Sequence, residues 1–282
     1  MNKLKIALQK SGRLHYESIN LLKNCGIDFS LALNKLKIST TNLDVFFLRD
    51  DDIPIYVQDG IADIGIVGKN VVFEQEKNYL IKDYLGFGYC RLSFAVPKDS
   101  LYQSLEDLYG KCIATSHPNI LDKYLKENNI CSVIHRINGS VEIAPNIGLS
   151  DAIFDLVSSG NTLDSNNLKE IETIFPSEAV LICHPKSNIL AKKLFFRIQS
   201  VKQARDNKYL LFKAPNNKLD NIKYFLYESC KILHILPLPI ANSTWTYVQV
   251  IVPASFLWKI LDELKRNSAK DLVVLSIKAF SE

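Results

Sequence analysis

The regular exchange of short apolar runs with amphipathic stretches limits the fold more than any other feature of the chain. A short apolar run bounded by glycine or proline reads as a buried strand, and a longer stretch with apolar residues three and four apart reads as a helix. Leu4–Leu8 is the first such strand, followed by a Ser-Gly turn and a helix ending near Gly26. Asp44–Leu48 is a second strand. Asp50–Gln58 is a short helix, whose opening acids suit the positive end of the helix dipole. Ile64–Val67, bracketed by Gly60, Gly65 and Gly68, is a third strand. Strand–helix alternation of this kind predicts an α/β fold with a largely parallel sheet.

A second α/β set begins near Arg91. Leu92–Val96, Ile113–Thr115, Ser132–Arg136, Ala152–Leu156 and Leu168–Ile174 read as strands, with a helix at Asn119–Asn128. Ala179–Cys183 is another strand, and the helical run Ile189–Val201 can carry the chain back to the first lobe. The expected core is two-lobed, like a periplasmic binding protein. Residues 1–90 and 177–206 form its discontinuous first lobe and residues 91–176 its second. Residues 207–282 change rhythm. Tyr209–Lys213, a helix through Tyr227, Lys231–Leu236, Thr246–Val252, a helix at Ala254–Arg266 and Leu272–Ile277 give the order β-α-β-β-α-β, the ferredoxin-like unit. Such a domain is often used for regulation by small ligands.

At 282 residues with 47% apolar content the chain can build several cores, and 23% charged residues argue against disorder. The net charge of +4 is spread among interleaved acids, which does not suit a dedicated nucleic-acid binder. The opening residues lack a signal-peptide pattern and no stretch reaches membrane-spanning length, so the expected location is the cytoplasm, without a membrane partner. The cysteines and histidines are scattered, and no metal-ligand spacing emerges from them.

The densest chemical signal is SDAIFDLVSSGNTL. Asp151 and Asp155 stand four apart, a spacing that puts both on one face of a strand. Val157, Ser158, Ser159, Gly160, Asn161 and Thr162 follow. Small residues let backbone N–H groups approach a ligand, and the hydroxyls add donors, as in a phosphate cradle. A plain Ser/Gly/Asn turn accounts for the same composition.

This segment resembles the phosphoribosyl-pyrophosphate loop of the ATP phosphoribosyltransferase family, which opens histidine biosynthesis. LQKSGRL, LRDDDIPIYVQDGIADIGIVGKN, ATSHPN and NGSVEIAPNIGLSDAI resemble its other motifs, in the same order, and the last third resembles the extra domain of its long form. The resemblance implies that N1 of the adenine of ATP attacks the anomeric carbon of phosphoribosyl pyrophosphate, releasing pyrophosphate. It implies Mg2+ as cofactor, because the leaving group is a polyanion. Its ligands stay open, with Asp151 or Asp155 as candidates. It implies a homo-oligomer, a dimer or hexamer, and inhibition by histidine. Many long forms carry a Pro-Thr pair before Pro-Leu; here Leu233-His234-Ile235-Leu236-Pro237-Leu238 has only the second, which puts the strength of inhibition in doubt.

Under this reading residues 158–162, with Val157, bind the 5′-phosphate, and Asp151 and Asp155 face the ribose. Lys10, Ser11, Gly12 and Arg13 follow the first strand, where open α/β sheets bind ligands, and their cations suit pyrophosphate or triphosphate oxygens. Arg49 ends the second strand in the same way and is expected in the site; Asp50, Asp51 and Asp52 read as helix-opening acids. Asp63 and Gly68 flank the third strand, Gly68 allowing close approach of the nucleotide and Gly65 serving packing. Thr115 and Ser116 line the opposite wall. His117, isolated before Pro118, reads as a surface residue. One rival is a two-lobed small-molecule binding protein without catalysis. Others are a relative that has lost activity and a short-form subunit needing a separate regulatory partner. The missing export signal, the intact motifs and the attached domain argue against them in turn.

Overall fold

Continuous apolar runs such as IGIVG and AVLIC cannot stand in water on either face, and each is fully buried in the centre of a sheet. The computed structural model describes residues 3–27, 35–75, 79–186, 189–230, 232 and 235–280. Strands β1 (Leu4–Gln9), β2 (Lys37–Ser39), β3 (Leu43–Leu48), β4 (Ile64–Gly68) and β5 (Leu80–Tyr84) build a first sheet. Strands β6 (Cys90–Pro97), β7 (Cys112–Thr115), β8 (Val133–Arg136), β9 (Ala152–Val157) and β10 (Leu168–Ser177) build a second, and β11 (Ala179–Cys183) returns to the first. The orders are β2-β3-β1-β4-β11-β5 and β10-β6-β9-β7-β8. In the first sheet β1 runs parallel to β3 and β4; in the second β7 runs parallel to β8 and β9. The helices of this part are α1 (His15–Asn24), α2 (Ile53–Gln58), α3 (Lys69–Glu74), α4 (Pro118–Glu127), α5 (Asn161–Ser165) and the start of α6 (Ile189–Asp206).

Both sheets lie in one compact unit, Met1–Asn20 with Phe29–Ala191; Leu21–Asp28 with Lys192–Glu282 form another, the divisions falling inside α1 and α6. The second sheet is centred on Phe94 and Phe154, register partners whose rings are 5.0 Å apart. Truncating Phe154 to alanine removes about 3–5 kcal/mol. The chain crosses between the sheets twice, and the crossings are tied together. Glu178 is the single residue between β10 and β11, and its Oε2 accepts the N–H of Gly86, between β5 and β6, at 2.8 Å.

In the second unit β12 (Asn207–Pro215), α7 (Leu219–Cys230), β13 (Ile235–Pro239), β14 (Trp245–Pro253), α8 (Leu257–Arg266) and β15 (Lys270–Ser276) form the ferredoxin-like domain. Its sheet is antiparallel throughout, in the order β13-β14-β12-β15, over a core that includes Phe212, Val250 and Leu264. The strand expected over Lys231–Leu236 starts at Ile235; Lys231, Leu233 and His234 lie outside the described residues.

Several short elements escape sequence reading for physical reasons. β2 is a three-residue edge strand, and β5 an edge strand exposed at every other residue, so neither has a long apolar run. α3 begins straight after β4 with no capping side chain, so it lacks a start signal.

Candidate active site

The pairing of β1 with β3 sets Gln9 opposite Leu48, so the next residues, Lys10 and Arg49, leave the sheet side by side at its carboxyl edge. Both are exposed, and among the described residues neither has an ion-pair partner. Ser11 and Gly12 are exposed in the turn beside them. Gly12 has φ +100°, and a Cβ there would stand 3.1 Å from Gln9 Nε2, so glycine is required. The Gln9 side chain braces the turn from below, its Oε1 accepting the Leu14 N–H at 2.9 Å.

Arg13 turns inward and donates through Nη1 to the carbonyl of Gly88 at 2.6 Å. Asp50 faces it. Burial pushes the Asp50 carboxyl up to about 6 and Asp51 adds to this, while Arg13 and the Gly68 N–H pull the other way. One of its oxygens, Oδ1, is buried without a hydrogen bond among the described residues. Asp50 is therefore more than the helix-opening acid that its position suggested.

Five expectations are corrected by the geometry. Asp63 lies at the amino end of β4, where its carboxylate accepts the Lys5 N–H at 2.8 Å, the opposite end of the strand from Gly68. Asp151 repeats this arrangement at β9: its Oδ2 accepts the Cys112 N–H at 2.9 Å and its own N–H bonds the Cys112 carbonyl. The length of β9 puts it roughly 20 Å from the loop that follows the strand. Val157 is 3% exposed, a core side chain, and Thr115 is fully buried, its hydroxyl taken by the His117 N–H at 2.8 Å. The space over Gly68 is filled as well: a Cβ there would meet Asn70 Oδ1 at 2.5 Å. Gly65 packs against Ile53, as its place in the strand suggested.

The loop 158–162 leaves the carboxyl end of β9. Ser158, Ser159, Asn161 and Thr162 are exposed, and Gly160, at φ +86°, turns the chain into α5. Nothing within 4 Å opposes a Cβ at Gly160, so its requirement is conformational. The loop is anchored by a residue that sequence reading passed over. Arg91 donates through Nη1 to the Ser158 carbonyl at 3.1 Å and grips Glu170 with two bonds of 2.7 and 2.6 Å. That grip holds the Glu170 carboxyl at about 2.

Asp155 precedes the loop. Burial pushes its carboxyl up to about 6; the Leu156 N–H opposes this, Glu142 adds to it, and the Ser116 hydroxyl opposes it. Ser116 Oγ lies 3.4 Å from Asp155 Oδ1 and 3.0 Å from His117 Nδ1. His117 is 7% exposed, not the surface residue expected from its isolation before Pro118. Pro118 opens α4, which leaves His117 at the cap with its ring turned in, 2.9 Å from Asn70 Nδ2. Burial lowers the imidazole to about 4. Asn70 follows β4 and His117 follows β7, so the carboxyl ends of the two sheets meet here.

Among the described residues no group of three or more His, Cys, Asp or Glu side chains stands ready for a metal ion. A single carboxylate such as Asp155 suits Mg2+ that keeps most of its ligands from water and from substrate phosphates. Asp151 does not, because its carboxylate caps a strand. No described helix is long and apolar enough to cross a membrane.

A family model described as ATP phosphoribosyltransferase matches residues 49–203, and one described as the HisG C-terminal domain matches residues 204–279. An ATP phosphoribosyltransferase of Cytophaga hutchinsonii is 48% identical over 98% of this chain and 97% of its own length. One of Bacteroides fragilis is 44% identical over 98% of both chains. Among solved structures, the ATP phosphoribosyl transferase (HisG:HisZ) complex from Thermotoga maritima matches with a TM-score of 0.59 and 30% identity, covering 70% of this chain and 98% of that one. Tv2483 bound to L-arginine shares the fold of the core, with a TM-score of 0.52 and 17% identity over 71% of this chain and 85% of its own. A two-lobed core of the binding-protein kind that matches a transferase model defines a pentosyltransferase with an appended ferredoxin-like domain. The chain belongs to the ATP phosphoribosyltransferase family, in the long form that carries the C-terminal domain. It transfers the 5-phosphoribosyl group of phosphoribosyl pyrophosphate to N1 of the adenine of ATP, the first step of histidine biosynthesis.

Proposed function

We propose that the two carboxyl edges divide the work of this reaction. The loop Ser158–Thr162 takes the 5′-phosphate, Asp155 takes the ribose hydroxyls, and Lys10, Ser11, Gly12, Arg13 and Arg49 take the pyrophosphate and triphosphate oxygens. The observation that carries this reading is the loop itself. Its exposed hydroxyls follow a half-buried carboxylate, and its first carbonyl is fixed by Arg91. The side chains of Lys10 and Arg49 on the other sheet, without an ion-pair partner among the described residues, supply positive charge to polyanions.

The adenine N1 lone pair forms the new bond to the anomeric carbon while the bond to pyrophosphate breaks, its electron pair leaving with the pyrophosphate oxygen. No proton leaves the attacking nitrogen, so no general base is needed. Rate comes from alignment and from charge placed beside the developing oxocarbenium and its leaving group. Asp155 is negative above a pH of about 6 and suits the cationic ribose; Arg49 suits the departing anion. Mg2+, held by Asp155 and substrate oxygens, would neutralise the leaving group when bound. Thr162→Leu tests the loop: the KM for phosphoribosyl pyrophosphate is expected to rise far more than that for ATP, and equal changes would count against the assignment. Arg49→Ala with normal turnover and normal affinities would remove Arg49 from the mechanism.

The division into lobes 1–90 with 177–206 and 91–176, with a regulatory domain at 207–282, belongs to the same reading. So do the cytoplasmic location, a homo-oligomeric state of dimers or hexamers, and histidine as an inhibitor bound through the C-terminal domain. The match of residues 204–279 to that domain supports the last of these. An unchanged rate in millimolar histidine would refute feedback, and a monomer at assay concentration by light scattering would refute assembly.

A further inference from the structure

A one-way chain of hydrogen bonds runs from the crossing between the sheets to Asp155. The Ser177 hydroxyl accepts the Asn70 backbone N–H at 3.0 Å and donates to Asn70 Oδ1 at 2.9 Å, which fixes the amide. Asn70 Nδ2, a donor only, then faces His117 Nε2 at 2.9 Å, so that nitrogen accepts. The ring proton sits on Nδ1 and points to Ser116 Oγ at 3.0 Å, leaving the Ser116 hydroxyl proton for Asp155 Oδ1. One assignment satisfies every link, and it needs a neutral imidazole, in keeping with its burial. The last link, at 3.4 Å, is long for a hydroxyl and a carboxylate, a common condition in sites that tighten on substrate. Asn70, buried just after β4, belongs to the first sheet, whereas Ser177, Ser116 and Asp155 belong to the second. The chain therefore reports the seat of one sheet on the other to the carboxylate.

We infer that His117, seated on Asn70, is a positioning residue for the transfer, orienting Asp155 through the Ser116 hydroxyl. The inference rests on the reading that Asp155 meets the ribose. Substitutions at His117 separate its two bonds. Asparagine keeps a donor near the Nδ1 position and loses the contact to Asn70; glutamine keeps an acceptor near Nε2 and loses the contact to Ser116. Leucine loses both.

Full-length His117→Asn, His117→Gln, His117→Leu, Ser116→Ala and the Ser116→Ala/His117→Leu double variant are assayed by pyrophosphate release at saturating ATP, with melting midpoints as a control. H117L and H117Q are expected to lose about tenfold in kcat, and H117N to recover most of it. The double variant is expected to match H117L, because both changes cut one chain. Glutamine recovering kcat where asparagine does not, parent-like kcat in H117L, or independent multiplying losses in the double variant would each overturn the inference. Should H117L fail to fold, H117Q and S116A carry the comparison. Asp155→Asn tells the two failures apart. If it leaves both kinetic constants unchanged, the ribose reading falls; if it abolishes turnover while all His117 variants work normally, only the relay falls.

Discussion

Two pairs of aspartates sit at opposite ends of the strands, and they do different jobs. Asp63 and Asp151 precede β4 and β9, and each carboxylate accepts an N–H near the start of a neighbouring strand, from Lys5 and Cys112. Asp50 and Asp155 stand at carboxyl ends, following β3 and near the end of β9, and burial pushes both up to about 6. An aspartate that caps a strand contributes register and little else. An aspartate kept half out of water beside exposed loops holds its proton to a pH at which water alone would have removed it. Asp151 and Asp155 are four residues apart, and the end of the strand that each occupies decides which kind it is.

The sharpest break of this comparison is Asp155→Asn, expected to lower kcat by roughly 100-fold. A loss below threefold would erase the distinction between the pairs. Arg91→Ala comes next. Releasing the Ser158 carbonyl is expected to raise the KM for phosphoribosyl pyrophosphate about tenfold, or roughly 1.4 kcal/mol of lost binding, with the KM for ATP little changed. Asp63→Ala and Asp151→Ala are expected to cost about 1–2 kcal/mol of stability in denaturant titrations, with kcat and both KM values within about twofold of the parent. A large kinetic loss without destabilisation would return either residue to the site.

The smallest effect is in the pH dependence of stability. The folded chain binds the protons of Asp50 and Asp155 more tightly than the unfolded chain, whose carboxyls titrate near 3.8. Their burial costs stability as pH rises from about 4 to about 6. His117 runs the other way. Its folded value of about 4 lies below the unfolded 6.5, so its contribution is full above 6.5 and is lost as pH falls through 4. In the Asp50→Asn/Asp155→Asn double variant the melting midpoint is therefore expected to climb more steeply between pH 4.5 and 6.5 than in the parent. Identical slopes would mean that the two carboxyls are not held out of water.

Much of this was legible in the sequence. The buried strands are apolar runs that no other structure accommodates, and the loop after β9 is composed of residues that suit a tight turn open to a ligand. The burial of His117, the inward turn of Asp50 and the grip of Arg91 on the loop were not. Each depends on a partner that the fold supplies from far away along the chain: Asn70, Arg13 and Glu170. Asp63 and Asp151 misled for the converse reason, because an acid beside an apolar run looks the same whether it begins or ends the active edge.

The bond between Glu178 and Gly86 has a mechanical consequence. Two covalent strands that pass between bodies and are pinned to each other act as the leaf of a door hinge, permitting a swing about one line and resisting slide or twist. A relative movement of the two sheets that kept this bond would swing about the paired crossings rather than slide past them.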